Sequence, residues 1–362
     1  VTRLLVAAIP AALACGSPAA PPDGVYCWGN DFNGQLGSDD RMDSPTPIAV
    51  AGTTGMRHLQ LGDAVSCARG DAGPVRCWGS LDDLGHLASP STVAALGDAV
   101  EIRTGSRFGC ARHAAGDVVC WGDNLVGELG NGRAPDQHVL VPIAADGSTT
   151  FDTRTGASDH PVAVTGLGDA TQLALAGSHA CALRRTGAVA CWGSLGLDAM
   201  RTSPLPVDIP GIAGATAIAT GNEATCAVAG GAVWCWGTLS LDGLPPHTWP
   251  APTKIAGVDH AVEVAVDENE ACARDAAGVV TCWHATGAPF RREIARAVQL
   301  GGGFRHLCAR TAAGTVTCWG DNLNGQLGGP LDAHGLSTVP ELDHVVELGV
   351  AGSHTCAIRA AR

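Results

Sequence analysis

The sequence predicts an all-β chain folded as a seven-bladed β-propeller, and three observations carry that expectation. Fourteen of the fifteen cysteines fall into seven pairs. Six pairs are local: Cys67 with Cys77, Cys110 with Cys120, Cys181 with Cys191, Cys226 with Cys235, Cys272 with Cys282, and Cys308 with Cys318. The seven Cys-Trp steps begin at 27, 77, 120, 191, 235, 282 and 318, spaced by 50, 43, 71, 44, 47 and 36 residues. Periods of that size mark stacked or radial units rather than independent domains. The third observation is that the unpartnered cysteines lie at the two ends. Cys27 opens the series with no partner upstream, and Cys356 closes it with none downstream. A last half-repeat that completes the first describes a ring.

Each unit reads as a small antiparallel sheet. Apolar residues alternate, as in Val262-Glu263-Val264-Ala265-Val266, which is the period of a strand. No stretch keeps helical spacing. Five of the local cysteine pairs enclose nine residues with a glycine near the tip, such as Gly187, Gly278 or Gly314, which suits a three-residue hairpin loop. The pair Cys226 and Cys235 encloses eight, and its tip is Gly230-Gly231, the two-residue turn that the shorter count requires. The cysteines then face each other across two strands at a separation that permits a disulfide. In Val-x-Cys-Trp the Val and Cys point to one side and the Trp to the other, so each blade offers a different face to each neighbour. The closing blade is expected to be mixed, with Val345–Leu348 and Thr355–Arg359 joined to Val25–Trp28 through a bond from Cys27 to Cys356. The 71-residue spacing exceeds its neighbours by roughly 25 residues, which places an insertion at about 131–160. Its isolated Phe151 is a candidate ligand contact, because long insertions on rigid scaffolds often carry recognition.

At the N-terminus, Arg3 precedes the apolar run Leu4–Ala14, and Cys15-Gly16-Ser17 follows. This reads as a secretory signal over 1–14, too short to span a membrane. Cys15 stands where a lipoprotein is cut and acylated, with 15–24 as a tether and 25–362 as a single propeller. A plain signal cut nearby is the alternative. Export agrees with paired cysteines, since disulfides persist in oxidising compartments. Zinc fits poorly because the cysteine spacing is too long for a zinc motif. Reduced core cysteines are the alternative.

His354-Thr355-Cys356-Ala357-Ile358, Val25-Tyr26-Cys27-Trp28-Gly29-Asn30 and Asn33-Gly34-Gln35-Leu36-Gly37 resemble the repeats of the regulator-of-chromosome-condensation family. The resemblance covers Val25 to Arg359. Residues 28–37, 121–130 and 319–328 keep the Trp-Gly-x-Asn-x-x-Gly-x-Leu-Gly loop or close to it, whereas Trp236–Leu241 and Trp283-His284-Ala285 depart from it. The resemblance implies a propeller. It leaves function open, because the family supplies exchange factors, scaffolds and secreted binders alike.

Composition narrows the choice. The formal net charge of −13 makes nucleic acid or an anionic membrane an unsuitable partner surface. Nine Trp, five Phe and one Tyr leave few aromatics beyond the repeat, Trp249 among them as a second candidate contact. His179, His306 and His354 each lie two residues before a repeat cysteine, a slot that elsewhere holds Val65, Phe108, Ala224 or Glu270. Such a recurring slot is read as a structural hydrogen-bond position, not a metal site. The acidic clusters Asp39-Asp40, Asp82-Asp83 and Asp267–Glu270 lack calcium-loop spacing and are read as solvated loops. Gly301-Gly302-Gly303 adjoins a strand, so it fails the context for phosphate binding. No nucleophile elbow occurs, and the faint likeness of Thr311–Trp319 to a sialidase Asp box lacks the aspartate.

The expectation is therefore an exported, lipid-anchored, monomeric module that binds an extracytoplasmic protein, as scaffold or inhibitor. No catalytic residue, cofactor or metal is assigned, and the only membrane contact is the anchor. Secreted propeller-type β-lactamase inhibitory proteins are similar in architecture. The alternative is a cell-surface propeller that binds or degrades carbohydrate, with Trp249 and acidic pairs near the channel as its candidates.

Overall fold

Strand alternation and glycine-tipped hairpins build seven four-stranded antiparallel sheets around a central channel. The structure is a computed structural model. It describes residues 22–360 apart from 72, 81–84, 134–139, 143–148, 152–156, 198–201, 241–245 and 286–287, with the backbone alone at 140–142 and 149–151. From the centre outward, blade 1 comprises His58–Leu61, Val65–Arg69, Arg76–Ser80 and His86–Thr92. Blade 2 comprises Glu101–Thr104, Phe108–Arg112, Val118–Gly122 and Ser158–Ala163. Blade 3 uses Ala170–Ala176, His179–Arg184, Val189–Ser194 and Thr202–Asp208, and blade 4 uses Ala215–Thr220, Glu223–Ala229, Ala232–Leu239 and His247–Lys254. Blade 5 is Ala261–Val266, Glu270–Asp275, Val280–His284 and Phe290–Arg292; blade 6 is Ala297–Gly302, His306–Thr311, Val316–Gly320 and Ser337–Thr338.

Blade 7 takes its inner strands, Val345–Ala351 and His354–Arg359, from one end of the sequence and its outer strands, Gly24–Gly29 and Ser44–Ala49, from the other. Gly24–Gly29 pairs along its whole length with His354–Arg359, with Cys27 opposite Cys356. The inner strands adjoin in order from blade 1 to blade 7, and blade 7 packs on blade 1.

All seven expected cysteine pairs are bonded. The terminal bridge joins Cys27 to Cys356. Within the hairpins, Cys67 is bonded to Cys77, Cys110 to Cys120, and Cys181 to Cys191. Likewise Cys226 is bonded to Cys235, Cys272 to Cys282, and Cys308 to Cys318. In the short hairpin Ala229 pairs with Ala232, and Gly230 and Gly231 take φ of 59° and 77°. Two positive values are what a tight hairpin turn needs, and glycine supplies them without strain. Cys15, the expected signal at 1–14 and the tether up to residue 21 lie outside the described residues.

The core is divided between the blades. The bridge of Cys110 and Cys120 in blade 2 packs with Trp192 of blade 3, that of Cys181 and Cys191 with Trp236, and that of Cys226 and Cys235 with Trp283. The same relation holds for Cys272 and Cys282 with Trp319, and for Cys308 and Cys318 with Trp28. Around the rest of the ring, Cys27 and Cys356 pack with Trp78, and Cys67 and Cys77 with Trp121. Each interface thus sets the disulfide of one blade against the tryptophan of the next, as the opposed directions of Cys and Trp in one strand require.

The inner strands are sheet edges, whose free backbone groups need partners. Gln172 of blade 3 accepts from Ile218 N at 3.1 Å and donates to Ile218 O at 2.8 Å in blade 4. Gln299 of blade 6 does the same with Leu348 of blade 7, at 3.0 and 2.8 Å. Glu101 and Glu347 accept from Leu173 N and Leu59 N of their next blades at 3.1 and 3.0 Å. The Arg of Cys-Ala-Arg holds two of these side chains from within the blade, Arg112 to Glu101 at 2.9 Å and Arg310 to Gln299 at 3.1 Å, and Arg274 holds Glu263, at the same position of blade 5, at 2.7 Å.

Candidate functional site

Strand direction sorts the connections onto two faces. One face carries the turns between first and second strands, which rim the channel, and the Trp-Gly loops between third and fourth strands. The other carries the hairpin tips, the links between blades and both ends of the described chain, because Gly24 lies opposite Arg359. The channel encloses about 400 Å³. Among the charged side chains that line it, Glu263 accepts from Arg274 of its own blade, and Glu347 accepts from Leu59 N of blade 1.

The histidine slot is structural. His179 Nε2 lies 3.0 Å from Thr225 Oγ1, His306 Nε2 3.0 Å from Thr355 Oγ1, and His354 Nε2 3.0 Å from Ser66 Oγ. Each partner belongs to the next blade and stands one residue before its cysteine. Burial pushes the imidazoles down, His179 and His306 to about 4 and His354 to about 3, so they are neutral at pH 7. Where the slot is apolar, the next blade supplies no hydroxyl: Phe108 precedes Ala180, and Ala224 precedes Ala271.

Glu270 occupies this slot in blade 5 and departs from expectation. Asp267 and Glu270 are only 3 % and 6 % exposed, so the cluster read as a solvated loop is half interior. The Glu270 carboxylate accepts from Arg292 Nη2 at 2.7 Å and from Trp319 Nε1 of blade 6 at 3.1 Å. Burial drives Asp267 up to about 7, although it accepts from the Asn269 and Glu270 amides at 2.6 Å each. Among the described residues, one group of three ligand types is close enough for a metal: Glu270, Cys272 and Cys282. Its sulfurs are bonded to each other and its carboxylate is taken, which leaves no ligand set in the oxidised protein.

The three full Trp-Gly loops clamp neighbouring blades. Asp31, Asn124 and Asn322 accept from the amides of Leu36, Leu129 and Leu327 at 2.7, 3.0 and 3.0 Å. These bonds seat each leucine fully inside. Glu128 O accepts from Trp192 Nε1 at 2.7 Å, and Gln326 O accepts from Trp28 Nε1 at 2.9 Å, again in the next blade. Gly328 has φ 74°, and a Cβ there would stand 2.7 Å from Trp28 Nε1.

With its leucine buried, each loop turns another apolar side chain outward. Phe32 is 78 % exposed and its counterpart Leu323 is 89 % exposed; in the third loop Leu125 is half-buried. Blades 6 and 7 bring the first two together. Asp43 accepts from Asp31 N at 2.8 Å and from Asn324 Nδ2 at 2.7 Å, so Phe32, Met42 and Leu323 all adjoin residues of one hydrogen-bonded knot. Met42 is 68 % exposed. Phe304, 44 % exposed, extends the patch to the channel rim: Arg305 O accepts from Asp321 N at 2.8 Å, and Phe304 N donates to Gly352 O at 2.6 Å.

Of the two candidate contacts read from sequence, Trp249 does not join this patch. Trp249 lies in the outer strand of blade 4, half-buried against the core shared with blade 5, its ring edge-on to His247 at 4.7 Å. Phe151 ends a separate two-stranded hairpin, Leu140–Pro142 with Thr149–Phe151, opposite Leu140; its side chain lies outside the described residues. That hairpin leaves from the loop face, and the insertion ends before Ser158, where the outer strand of blade 2 begins. Sequence reasoning missed Phe32, Met42, Leu323 and Phe304. The available signal was an apolar residue in the same slot of all three full loops, at 32, 125 and 323.

The fold and its loops define an RCC1-like repeat propeller. Residues 297–326 match the sequence model of the Regulator of chromosome condensation (RCC1) repeat. No characterised protein sequence matches the chain. Among solved structures it is similar to human WBSCR16, with a TM-score of 0.78 and 17% identity over 94% of this chain and 100% of that one. It is also similar to Prp20p from Saccharomyces cerevisiae, with a TM-score of 0.71 and 16% identity over 94% and 92% of the two chains. Yeast RCC1 (Prp20) bound to Kap60 superposes with a TM-score of 0.71 at 15% identity, over 100% and 97%.

Proposed function

We propose that this protein is an exported, lipid-anchored module that binds another protein through its Trp-Gly loop face, as a scaffold or inhibitor, and performs no catalysis itself. The observation that carries the reading is the concentration of exposed Phe32, Met42, Leu323 and Phe304 in one sector of one face. Large exposed apolar groups gathered together mark interaction surfaces, whereas scattered ones do not. Seven disulfides support an oxidising compartment, and the apolar run before Cys15 supports export with an anchor. No helix among the described residues is long and apolar enough to cross a membrane. An anchor at Cys15 would attach on the face of the chain ends and direct the patch away from the lipid. Protein binding also agrees with the fold's other uses, since Prp20p is studied for its binding to Gsp1p and histones and yeast RCC1 (Prp20) is solved with Kap60.

The test is photo-crosslinking in the producing cell, with a benzophenone amino acid at position 323 or at position 346. Val346 is exposed at the opposite end of an inner strand and serves as control. A protein adduct from 323 and none from 346 is expected, with the protein in the membrane fraction unless Cys15→Ala is present. Adducts from neither position, or equally from both, reject the loop face as the binding surface.

A further inference from the structure

The patch on blades 6 and 7 is apolar at its centre and acidic at its margin, and together these specify a partner. Asp39, Asp40 and Asp332 stand exposed on the two loops that bear Met42 and Leu331, with Asp43 and Asp321 between the apolar groups. Asp40 is held ionised by the Ser38 hydroxyl and the Met42 amide, and Asp332 by the amides of Leu336 and His334, so both carboxyls lie below the usual range. Against these five carboxylates stand Arg41 and Arg305, and Arg305 donates to Glu268 at 2.5 Å while its guanidinium lies over Phe304, 5.4 Å from the ring centre. The local field is therefore negative, as is the whole chain.

From this we infer that the patch binds a cationic protein segment, one or two large apolar side chains flanked by Lys or Arg. The inference rests on the loop face being the binding face. Phe32, Met42 and Leu323 would cover the apolar anchor, where most binding energy in such contacts resides. The rim carboxylates would set orientation and association rate, an effect that weakens with salt. An anionic membrane is a poor occupant, because it would meet like charge. The exposed positions are not part of the interior: Leu323 is 89 % and Phe32 78 % exposed, so both accept polar substitution without loss of fold.

The experiment uses two fluorescent twelve-residue peptides with the same Trp and Leu content, one flanked by four Arg and one by four Glu, titrated by anisotropy against the disulfide-intact protein. Binding of the Arg peptide alone is expected, weakened at least about tenfold by Phe32→Ser with Leu323→Ser. Asp39→Asn with Asp40→Asn should weaken it a few-fold at low salt and hardly at all at high salt, while Val346→Ser leaves it unchanged. Equal binding of both peptides, preference for the Glu peptide, no binding of either, or an equal effect of Val346→Ser overturns the inference. The cellular crosslink at 323 separates the two levels. An adduct whose captured segment is acidic, a second copy of this chain or a lipid overturns the cationic partner, and only the acidic protein segment leaves the loop-face reading standing.

Discussion

Removing the bond between Cys27 and Cys356 tests how the ring is held. The two residues are 329 positions apart, whereas Cys110 and Cys120 are ten apart. In the loop-entropy description the first bridge contributes about 5.8 kcal/mol and the second about 2.7 kcal/mol. All four sulfurs are fully buried in inter-blade cores, one pair against Trp78 and the other against Trp192. Replacing either pair with alanine therefore removes comparable packing, and the contrast isolates closure. An unfolding entropy of about 2.1 cal/mol/K per residue turns the two figures into Tm decreases of about 8 °C and about 4 °C. Calorimetry on both double variants, with the remaining six bridges verified by non-reducing peptide maps, gives the comparison. Equal decreases, or a larger one for the pair Cys110 and Cys120, would refute the view that the terminal bridge closes the ring. Closure would then rest on the ladder between Gly24–Gly29 and His354–Arg359 alone.

Two further perturbations probe the interior. The three slot histidines have folded pKa values of about 4, 4 and 3 against an ordinary 6.5. The unfolded chain then binds more protons between those values, so this contribution to stability is present above pH 6.5 and is lost as pH falls toward about 4. Asp267, raised to about 7, works in the opposite sense over much of that window. His179→Gln, which can still reach Thr225, should make the urea midpoint less pH-dependent, by up to about 1.4 kcal/mol per pH unit. An unaltered pH profile would show that His179 titrates normally in the fold. Arg292→Ala leaves the buried Glu270 carboxylate with the Trp319 hydrogen bond and with His284 Nδ1 at 3.9 Å; because the Arg292 side chain keeps 21% exposure, a loss of about 2–3 kcal/mol is expected, below the fully buried range. Denaturation within about 0.5 kcal/mol of wild type, the noise of a surface change, would remove Glu270 from the structural account.

Much of the fold is legible in the sequence because a propeller repeats its constraints. Val-x-Cys-Trp fixes which side of a strand meets which neighbour, and a missing residue at Gly230-Gly231 shortens the turn without shifting the register of Cys226 against Cys235. The histidine slot could be recognised as structural, and its partner could have been read as well. A Ser or Thr before the next blade's cysteine accompanies each histidine, at Thr225, Thr355 and Ser66. Glu270 could not be resolved the same way. Its partners Arg292 and Trp319 come from an outer strand and from the neighbouring blade, with no fixed spacing to announce them. A run of four polar residues looks solvated until the fold shows which two face inward.

The candidate site was hidden for the opposite reason. Phe32 and Leu323 occupy a repeat position, and a repeat position is naturally read as a packing position. In the Trp-Gly loop, however, the hydrogen bond that Asp31 or Asn322 accepts from a leucine amide fixes which apolar residue enters the core, at Leu36 and Leu327. The residue just after that cap is then forced outward, whatever its hydrophobicity. At Leu125 the outward slot is half-covered, while at 32 and 323 it is bare, and the Asp43 carboxylate ties the two loops that carry these residues. The periodic features of this chain thus specify the ring, and the surface available to a partner arises where two periodic loops are tied side by side.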